Sequence, residues 1–366
     1  MRFRRIFSFV TAVLIFFLSG CKPQDPVQVR VLFAGSLIVP FEELKRAFEA
    51  EHPEIDLLME GHGSIQCIRL VTELHEPADV VISADGELIP ELMYNSIAPE
   101  TMLPYAEWVI NFAGNTLTLA YTDQSLYGEE IDETNWYKVI SRPDVRLGLS
   151  DPRFDAAGYR SLMALQLAEP FYKDPLIFED RIMGQFQWAV SSIETDARWV
   201  IHIPEIIEPR PESGIVLRGG SVQLIALLES GDIDYAFEYK SVAHQHGFRT
   251  IDLPQEINLG VESLRNTYQT VEVVLDFQRF ESITPVFSGD LIQYGLTIPS
   301  SSPHPREAAM FTDFLLGPEG QAIMASQSHP LFQQPYTDHP ERLPELLEPY
   351  FSEDSTSQHQ VSRRDP

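Results

Sequence analysis

The stretch Leu149-Ser150-Asp151-Pro152-Arg153-Phe154-Asp155-Ala156-Ala157-Gly158-Tyr159-Arg160 connects a predicted strand to a predicted helix. Residues 145–149 form an apolar run that predicts a strand, and helical spacing of apolar side chains begins at Tyr159. Asp151-Pro152 predicts a turn between them. The first N–H groups of a helix have no partner within the helix, so this turn is a candidate anion site. The simpler interpretation is an ordinary loop between a strand and a helix.

Small-residue loops of the same kind occur at three other places. Each stands before a helical pattern, and the first two directly follow apolar runs at 29–33 and 55–59. A third run at 79–83 precedes a helical pattern at 87–94. The loops are Ala34-Gly35-Ser36, Gly61-His62-Gly63-Ser64 and Gly219-Gly220-Ser221.

Alternation of strand, loop and helix predicts an α/β protein with parallel, doubly wound sheets. Such sheets bind ligands beyond the carboxyl ends of their strands, where these loops lie. A chain of 366 residues exceeds a single core and predicts two lobes. The expected segments are a signal peptide at 1–20, a tether at 21–28, lobe I at 29–118 and 240–350, lobe II at 119–239, and a polar, disordered tail at 351–366.

Two segments, 271–298 and 180–214, carry further structural predictions. Residues 271–277 and 293–298 are predicted to be strands of the returning lobe I. The segment 180–214 is poorly periodic, and its Pro/Glu-rich part at 204–212 predicts a surface loop.

The N-terminus has the pattern of a sorting signal. Arg2, Arg4 and Arg5 precede an apolar stretch at 6–18 that is short for a membrane span. The following Leu18-Ser19-Gly20-Cys21 resembles a bacterial lipobox, which predicts lipidation at Cys21 and a membrane anchor. The alternative is a cleaved signal peptide without lipid.

Composition excludes several classes of function. The formal charge of −28 argues against nucleic acid as a partner, because phosphate binding needs a basic face. Cys67 lies on an apolar helical pattern and is expected to be buried. The ten histidines show no zinc-ligand spacing, and the sequence lacks a G-x-S-x-G elbow, a Walker loop and a G-x-G-x-x-G fingerprint.

Several stretches follow one another in a recognisable order. They cover about 29–345, with a break near 180–215. They are Phe33-Ala34-Gly35-Ser36-Leu37-Ile38-Val39-Pro40-Phe41, Gly63-Ser64, Ala78-Asp79-Val80 to Ala84-Asp85, Leu119-Ala120-Tyr121-Thr122, Arg142-Pro143-Asp144-Val145-Arg146, Ser150-Asp151-Pro152 with Gly158-Tyr159-Arg160, Leu224-Ile225-Ala226-Leu227-Leu228-Glu229-Ser230-Gly231, Asp234-Tyr235-Ala236-Phe237, Tyr239-Lys240-Ser241-Val242-Ala243 and Gln245-His246-Gly247. Together they resemble the tungstate/molybdate-binding proteins of ABC importers. The resemblance implies a type II periplasmic-binding-protein fold, with two α/β lobes and a ligand cleft between them.

The resemblance also implies which residues bind the oxyanion. Ser36 and Ser64 are expected to supply hydroxyl and N–H groups from lobe I, and Tyr239 a phenolic hydroxyl from lobe II. The turn from Asp155 to Gly158, which includes Ala157, is expected to supply N–H groups and, at Asp155, a carboxylate that approaches the metal atom. Ser221 stands where the family has a second such carboxylate, a glutamate, and Ala156-Ala157 stands where the family usually has Pro-Cys. We therefore expect at most one protein oxygen to be added to the four of the ion.

Each of these residues also has a structural interpretation. Ser36, Ser64 and Ser221 could be helix caps, Tyr239 a core tyrosine and Arg160 an ion-pair partner rather than an anion clamp. Two unit charges about 4 Å apart repel by roughly 4 kcal/mol at an effective dielectric constant near 20. An ionised Asp155 must therefore be protonated, turned away or bonded to the metal, and molybdenum and tungsten can accept such an oxygen whereas sulfur cannot.

The function expected from the sequence is capture of tungstate or molybdate by a monomeric, lipid-anchored binding protein. Its expected partners are the oxyanion, the membrane through the lipid, and an ABC importer permease, to which it delivers the ion outside the cytoplasm. No cofactor and no catalytic activity are expected. The alternatives are a binding protein for sulfate, phosphate or ferric ion, an enzyme, and a structural or signalling protein.

Overall fold

The computed structural model describes residues 25–196, 198–276, 286–329 and 331–351. The sorting signal with Cys21 and the polar tail from residue 352 lie outside these ranges, so those predictions are not addressed by the fold. Within the described ranges, none of the helices combines the length and hydrophobicity needed to cross a membrane.

The first sheet has six strands in the order β15-β4-β14-β3-β1-β2. Strands β1, β2 and β3 are parallel, whereas β14, β4 and β15 run antiparallel to their neighbours. The parallel part was predicted, and its first strand begins inside the segment expected to be a tether. The strands are β1 (Val27–Ala34), β2 (Ile55–His62), β3 (Val80–Ser83), β4 (Ile110–Gly114), β14 (Gln293–Thr297) and β15 (Leu331–Thr337).

The second sheet has five strands in the order β11-β5-β10-β6-β9. Strands β10, β6 and β9 are parallel, and β5 runs antiparallel to both β10 and β11. Residues 115–116 alone separate β4 of the first sheet from β5 of the second, so the chain crosses between the lobes there. The strands are β5 (Leu117–Tyr121), β6 (Leu147–Ser150), β9 (Ile215–Arg218), β10 (Tyr235–Tyr239) and β11 (Arg249–Asp252).

A third sheet, which the sequence did not predict, has four strands in the order β13-β12-β8-β7. The strands are β7 (Ser191–Thr195), β8 (Arg198–Ile203), β12 (Val271–Leu275) and β13 (Val286–Ser288).

This third sheet changes two assignments. The strand at 271–275 pairs with β8 and not with lobe I, and β11 at 249–252 pairs within the second sheet. Among the described residues after β11, the first that pair with the first sheet begin at Gln293. Part of 180–214 is a hairpin of β7 and β8. The sequence pattern missed β7 because this strand is largely exposed and lacks the alternation of apolar side chains that predicts a strand. The irregular, mostly exposed stretch at 204–212 is the predicted surface loop.

Helices cover the sheets. The longest, α5, is buried along nearly all of its length because it packs against strands of the second sheet and against the third. The helices are α1 (Ile38–Glu51), α2 (Ser64–Thr72), α3 (Leu88–Met93), α4 (Trp136–Ile140), α5 (Ala156–Tyr172), α6 (Ile177–Arg181), α7 (Val222–Ser230), α8 (Lys240–Gln245), α9 (Arg265–Tyr268), α10 (Pro305–Leu316) and α11 (Pro318–Ser326). Cys67 on α2 is a free, buried cysteine, as expected.

Candidate functional site

A small cavity lies between the two lobes, just beyond the carboxyl ends of the parallel strands. Its volume is about 80 Å³, which is room for several water-sized atoms, since one water needs about 10–15 Å³. The site that doubly wound sheets usually offer is therefore present. The cavity is lined by Ala34, Gly35, Ser36, Gly61, His62, Gly63, Gln66, Ala84, Asp155, Gly219, Gly220, Ser221, Val222, Gln223 and Tyr239.

The structure brings four of the six predicted oxyanion residues to this cavity: Ser36, Asp155, Ser221 and Tyr239. The other two, Ser64 and Ala157, stand behind the lining and bond to it. Ser64 Oγ accepts a hydrogen bond from Ala84 N at 2.9 Å, and Ala157 N donates to Asp155 Oδ1 at 3.4 Å.

Asp155 joins the starts of two helices. It is the N-cap of α5, and its Oδ2 also accepts from Ser221 N at 2.7 Å, just before α7 begins. Burial raises the pKa of Asp155, and the amides of Ser221 and Ala157 oppose that rise by bonding the carboxylate. Among the described residues, Asp155 is the one carboxylate that lines the cavity.

Arg160 connects the lobes beside the cavity without lining it. From α5 of lobe II, its Nη1 donates to Ala84 O of lobe I at 2.7 Å and to Tyr239 OH at 2.9 Å. Its Nη2 lies 3.2 Å from Asp85 Oδ2, and that carboxylate also accepts from Tyr159 OH. The side chain is thus an ion-pair partner across the lobes, as expected.

Ser36 is bonded from behind by residues of lobe I and of the crossing segment. Its Oγ lies 2.8 Å from Tyr294 OH on β14, and Asn115 Nδ2 donates to the same phenol at 3.2 Å. Burial raises the pKa of Tyr294 well above its ordinary value, so the phenol is neutral and keeps its proton at neutral pH.

The lobes are in close contact at the cavity's edge. The amide of Gln66 donates to Phe154 O at 3.2 Å, which links α2 of lobe I to the turn before α5. A Cβ on Gly63 would lie 2.4 Å from the same carbonyl oxygen, so only glycine permits this approach.

Several cavity residues were not predicted to be ligands. His62 and Gln66 flank the predicted Gly63-Ser64 pair, and Gln223 follows Ser221 closely in α7. A sequence signal existed for them, because all three lie within two residues of a small-residue loop that was itself singled out. Glu238 gave no such signal; it is fully buried beside Tyr239, outside the lining, and burial raises its pKa to about 8.

The sequence is similar to that of known solute-binding proteins. Residues 29–327 match the model of the family described as bacterial extracellular solute-binding protein. An uncharacterized solute-binding protein of Methanoculleus marisnigri is 39% identical over 307 residues, covering 84% of this chain and 82% of its own. The molybdate/tungstate-binding protein WtpA of Thermococcus kodakarensis is 32% identical over 366 residues, covering 94% of this chain and 97% of its own.

A solved structure is similar in fold. The periplasmic molybdate-binding protein of Azotobacter vinelandii aligns with a TM-score of 0.53 at 16% identity, covering 83% of this chain and all of its own. That likeness confirms the predicted two-lobe, type II binding-protein fold. The matched family binds solutes and is not a family of enzymes. The chain therefore belongs to the bacterial extracellular solute-binding protein family.

Proposed function

We propose that this protein captures tungstate or molybdate in the cavity between its lobes and delivers it to an ABC importer. The observation that carries the proposal is the composition of the cavity. It combines hydroxyls of Ser36, Ser221 and Tyr239 with the buried carboxylate of Asp155, and the described residues that line it include no lysine or arginine.

This set of groups suits an oxyanion held by neutral donors. Hydroxyl and N–H groups fixed by the fold can surround a tetrahedral dianion at hydrogen-bond distance without a cationic side chain. The overall charge of −28 repels an anion at long range, so short, oriented bonds must supply the affinity. The resemblance in sequence to a molybdate/tungstate-binding protein supports the same ligand.

Asp155 supports the choice of a metal oxyanion over sulfate. A buried carboxylate beside a dianion costs free energy unless it is protonated or bonded to the central atom. Molybdenum and tungsten can take an added oxygen, and sulfate cannot. With Ser221 in place of a second carboxylate, we expect at most one protein oxygen to be added to the four of the bound ion.

Delivery to a permease and anchoring through Cys21 belong to the same proposal. The family is extracellular, which agrees with a sorting signal at the N-terminus. We expect the protein to act as a monomer, without a cofactor, and to be held at the outer face of the membrane by lipid on Cys21.

The test of the ligand is calorimetric titration of the purified protein with tungstate, molybdate, sulfate, phosphate and ferric ion. We expect heat and tight binding with the first two and weak binding of sulfate and phosphate. Ferric ion is expected to give no specific signal, since Tyr239 is the one tyrosine in the described lining. Tighter binding of sulfate or phosphate than of tungstate would contradict the proposal.

Replacing Asp155 tests the selectivity argument. Asp155→Asn keeps an oxygen that can accept from Ser221 N, but it removes the charge and the contact to the metal. We expect the preference for tungstate over sulfate to fall by about tenfold or more, and Ser221→Glu to increase it. X-ray absorption on the bound ion counts its oxygen neighbours, and six near oxygens in the wild-type protein would contradict the assignment of Ser221.

A further inference from the structure

The orientation of the Asn115 amide is determined by its neighbours. Its Oδ1 accepts from Thr116 N at 2.9 Å and from Ser241 N at 3.4 Å. The opposite orientation would point an NH₂ group at two backbone N–H donors, which cannot form hydrogen bonds. The Nδ2 atom therefore faces Ser241 Oγ at 2.8 Å and Tyr294 OH at 3.2 Å, and it can only donate to them.

The Tyr294 hydroxyl consequently has one favourable direction for its proton. It is fully buried, already accepts from Asn115, and also lies 2.8 Å from Ser36 Oγ. A phenol has a single proton, and a buried donor left unbonded is costly. The favourable arrangement is that Tyr294 OH donates to Ser36 Oγ.

Ser36 then accepts from behind and keeps its own proton for the cavity that it lines. Another hydroxyl in the lining has the same polarity. Tyr239 OH accepts from Arg160 Nη1, so its own proton is free to point toward an anion.

We propose that Asn115 and Tyr294 are positioning residues that fix the direction of the Ser36 hydroxyl, so that it donates to the bound oxyanion. This inference rests on the function proposed above. Neither residue's role follows from the cavity lining alone, because neither Asn115 nor Tyr294 belongs to it. The two residues act from the crossing segment and from β14, respectively.

The substitution Asn115→Asp should reverse the direction of the hydrogen bonds from Asn115 through Tyr294 to Ser36. A carboxylate can still accept from the amides of Thr116 and Ser241, so the local backbone keeps its bonds. It cannot donate to Tyr294, so the phenol must donate to it and Ser36 must donate to the phenol. The Ser36 proton is then turned away from the cavity, and we expect tungstate affinity to fall by about ten- to a hundred-fold.

The measurement is a double-mutant cycle of tungstate affinity with Asn115→Asp and Ser36→Ala. The added charge of Asn115→Asp acts in both backgrounds, whereas the effect through the hydroxyl is possible only when Ser36 is present. We expect the loss caused by Asn115→Asp to shrink to about two- to threefold in the Ser36→Ala background. Asn135→Asp, whose side chain bonds a surface carbonyl, is the matched control.

A loss of equal size in both backgrounds, or no loss in either, overturns the inference. If thermal unfolding shows that Asn115→Asp does not fold, Tyr294→Phe replaces it, and the cost of Ser36→Ala must then be smaller in the Tyr294→Phe background; additive costs overturn the inference. If the wild-type protein binds tungstate but the cycle is additive, the positioning role of Asn115 and Tyr294 is wrong and the proposed function stands. If the wild-type protein binds none of the oxyanions, both the positioning role and the proposed function are wrong.

Discussion

At the scale of single residues, the cavity is built from groups whose bonding partners lie far away in sequence. Ser36 and Tyr294 are 258 positions apart, and Asp155 and Ser221 are 66 positions apart. Each pair places a polar atom in a dry environment, where a well-oriented hydrogen bond is strong and a missing one is costly. Substitutions here should therefore affect binding more than they affect folding.

Ser36→Ala tests the contribution of one hydroxyl. We expect it to weaken tungstate binding by about 1–3 kcal/mol, which is typical of a hydrogen bond to a charged group. Stability should change less, because the serine caps no helix and its bond with Tyr294 OH is between neutral groups, whereas its bond to the ion is to a charged group. Calorimetry and thermal unfolding provide the two measurements, and Ser96→Ala, which removes a hydroxyl bonded to Leu92 O, is the control. Unchanged affinity in Ser36→Ala would remove this residue from the site.

Glu238 makes stability depend on pH. Burial raises its pKa from 4.5 to about 8 in the folded protein, so the folded state holds the proton more tightly than the unfolded chain. The stabilising contribution is complete below pH 4.5 and is lost as the pH rises through about 8. We expect the free energy of unfolding to decrease across this window, by on the order of a few kcal/mol.

Glu238→Gln cannot ionise, so its stability should vary less with pH and should exceed that of the wild type near pH 8. Urea unfolding at several pH values between 4.5 and 8 measures both curves, with the exposed Glu212→Gln as the control. Parallel curves for wild type and Glu238→Gln would show that another group causes the dependence.

At the scale of elements, the site depends on how closely two loops approach. The loop before α2 and the turn before α5 belong to different lobes, yet Gly63 of that loop closely approaches Phe154 O, and Gln66 N in the first turn of α2 bonds the same oxygen. Ser64 and Ala157 are fully buried and do not line the cavity, and the Ser64 hydroxyl is turned to Ala84 N instead. The predicted loops thus meet, but only some of their residues reach the ligand space.

Gly63→Ala should separate these loops. The new Cβ would lie 2.4 Å from Phe154 O, a distance that real Cβ contacts do not reach, so the lobes must move apart. We expect tungstate affinity to fall at least tenfold and small-angle scattering to show a larger particle with the ion present. Gly219→Ala is the matched control, since its Cβ would have no neighbour closer than 3.8 Å. Equal affinities for both variants would show that the close approach is not needed for binding.

At the scale of the whole molecule, a third sheet accompanies the two lobes that the family resemblance implied. Its strands come from two separate stretches of the chain, and it covers one side of α5, whose start forms part of the cavity. A helix buried against two sheets has little freedom to shift, so Asp155 at its N-cap is held in a fixed position. The third sheet therefore supports the site, although none of its described strand residues lines the cavity.

Cys21→Ser tests the proposed membrane anchor. Only the thiol of a lipobox cysteine can receive the lipid, so the variant should lose its membrane association or accumulate unprocessed. Fractionation of cells that express the wild type and the variant measures this directly, and Cys67→Ser is the control because Cys67 is buried in the fold. Equal membrane fractions for wild type and Cys21→Ser would reject the lipid anchor.

Secondary-structure elements that depend on local sequence pattern could be predicted without the structure. The parallel strands at 29–33, 55–59 and 79–83, the helices at 305–316 and from 318, and the small-residue loops at the strand ends all follow from spacing along the chain. Four of the six residues named as oxyanion ligands reach one cavity because those loops occupy corresponding ends of the two sheets.

The strand partners and the contacts between buried polar groups could be seen only in the folded structure. The pairing of β12 with β8, the ion pair of Arg160 with Asp85 and the bonds from Asn115 through Tyr294 to Ser36 join residues that no local pattern links. The physical reason is that strand partners and buried polar groups are chosen by whatever meets them in the folded core, where each donor and acceptor must be satisfied. A hydroxyl's presence at the site was readable from the sequence; the direction in which it points was not.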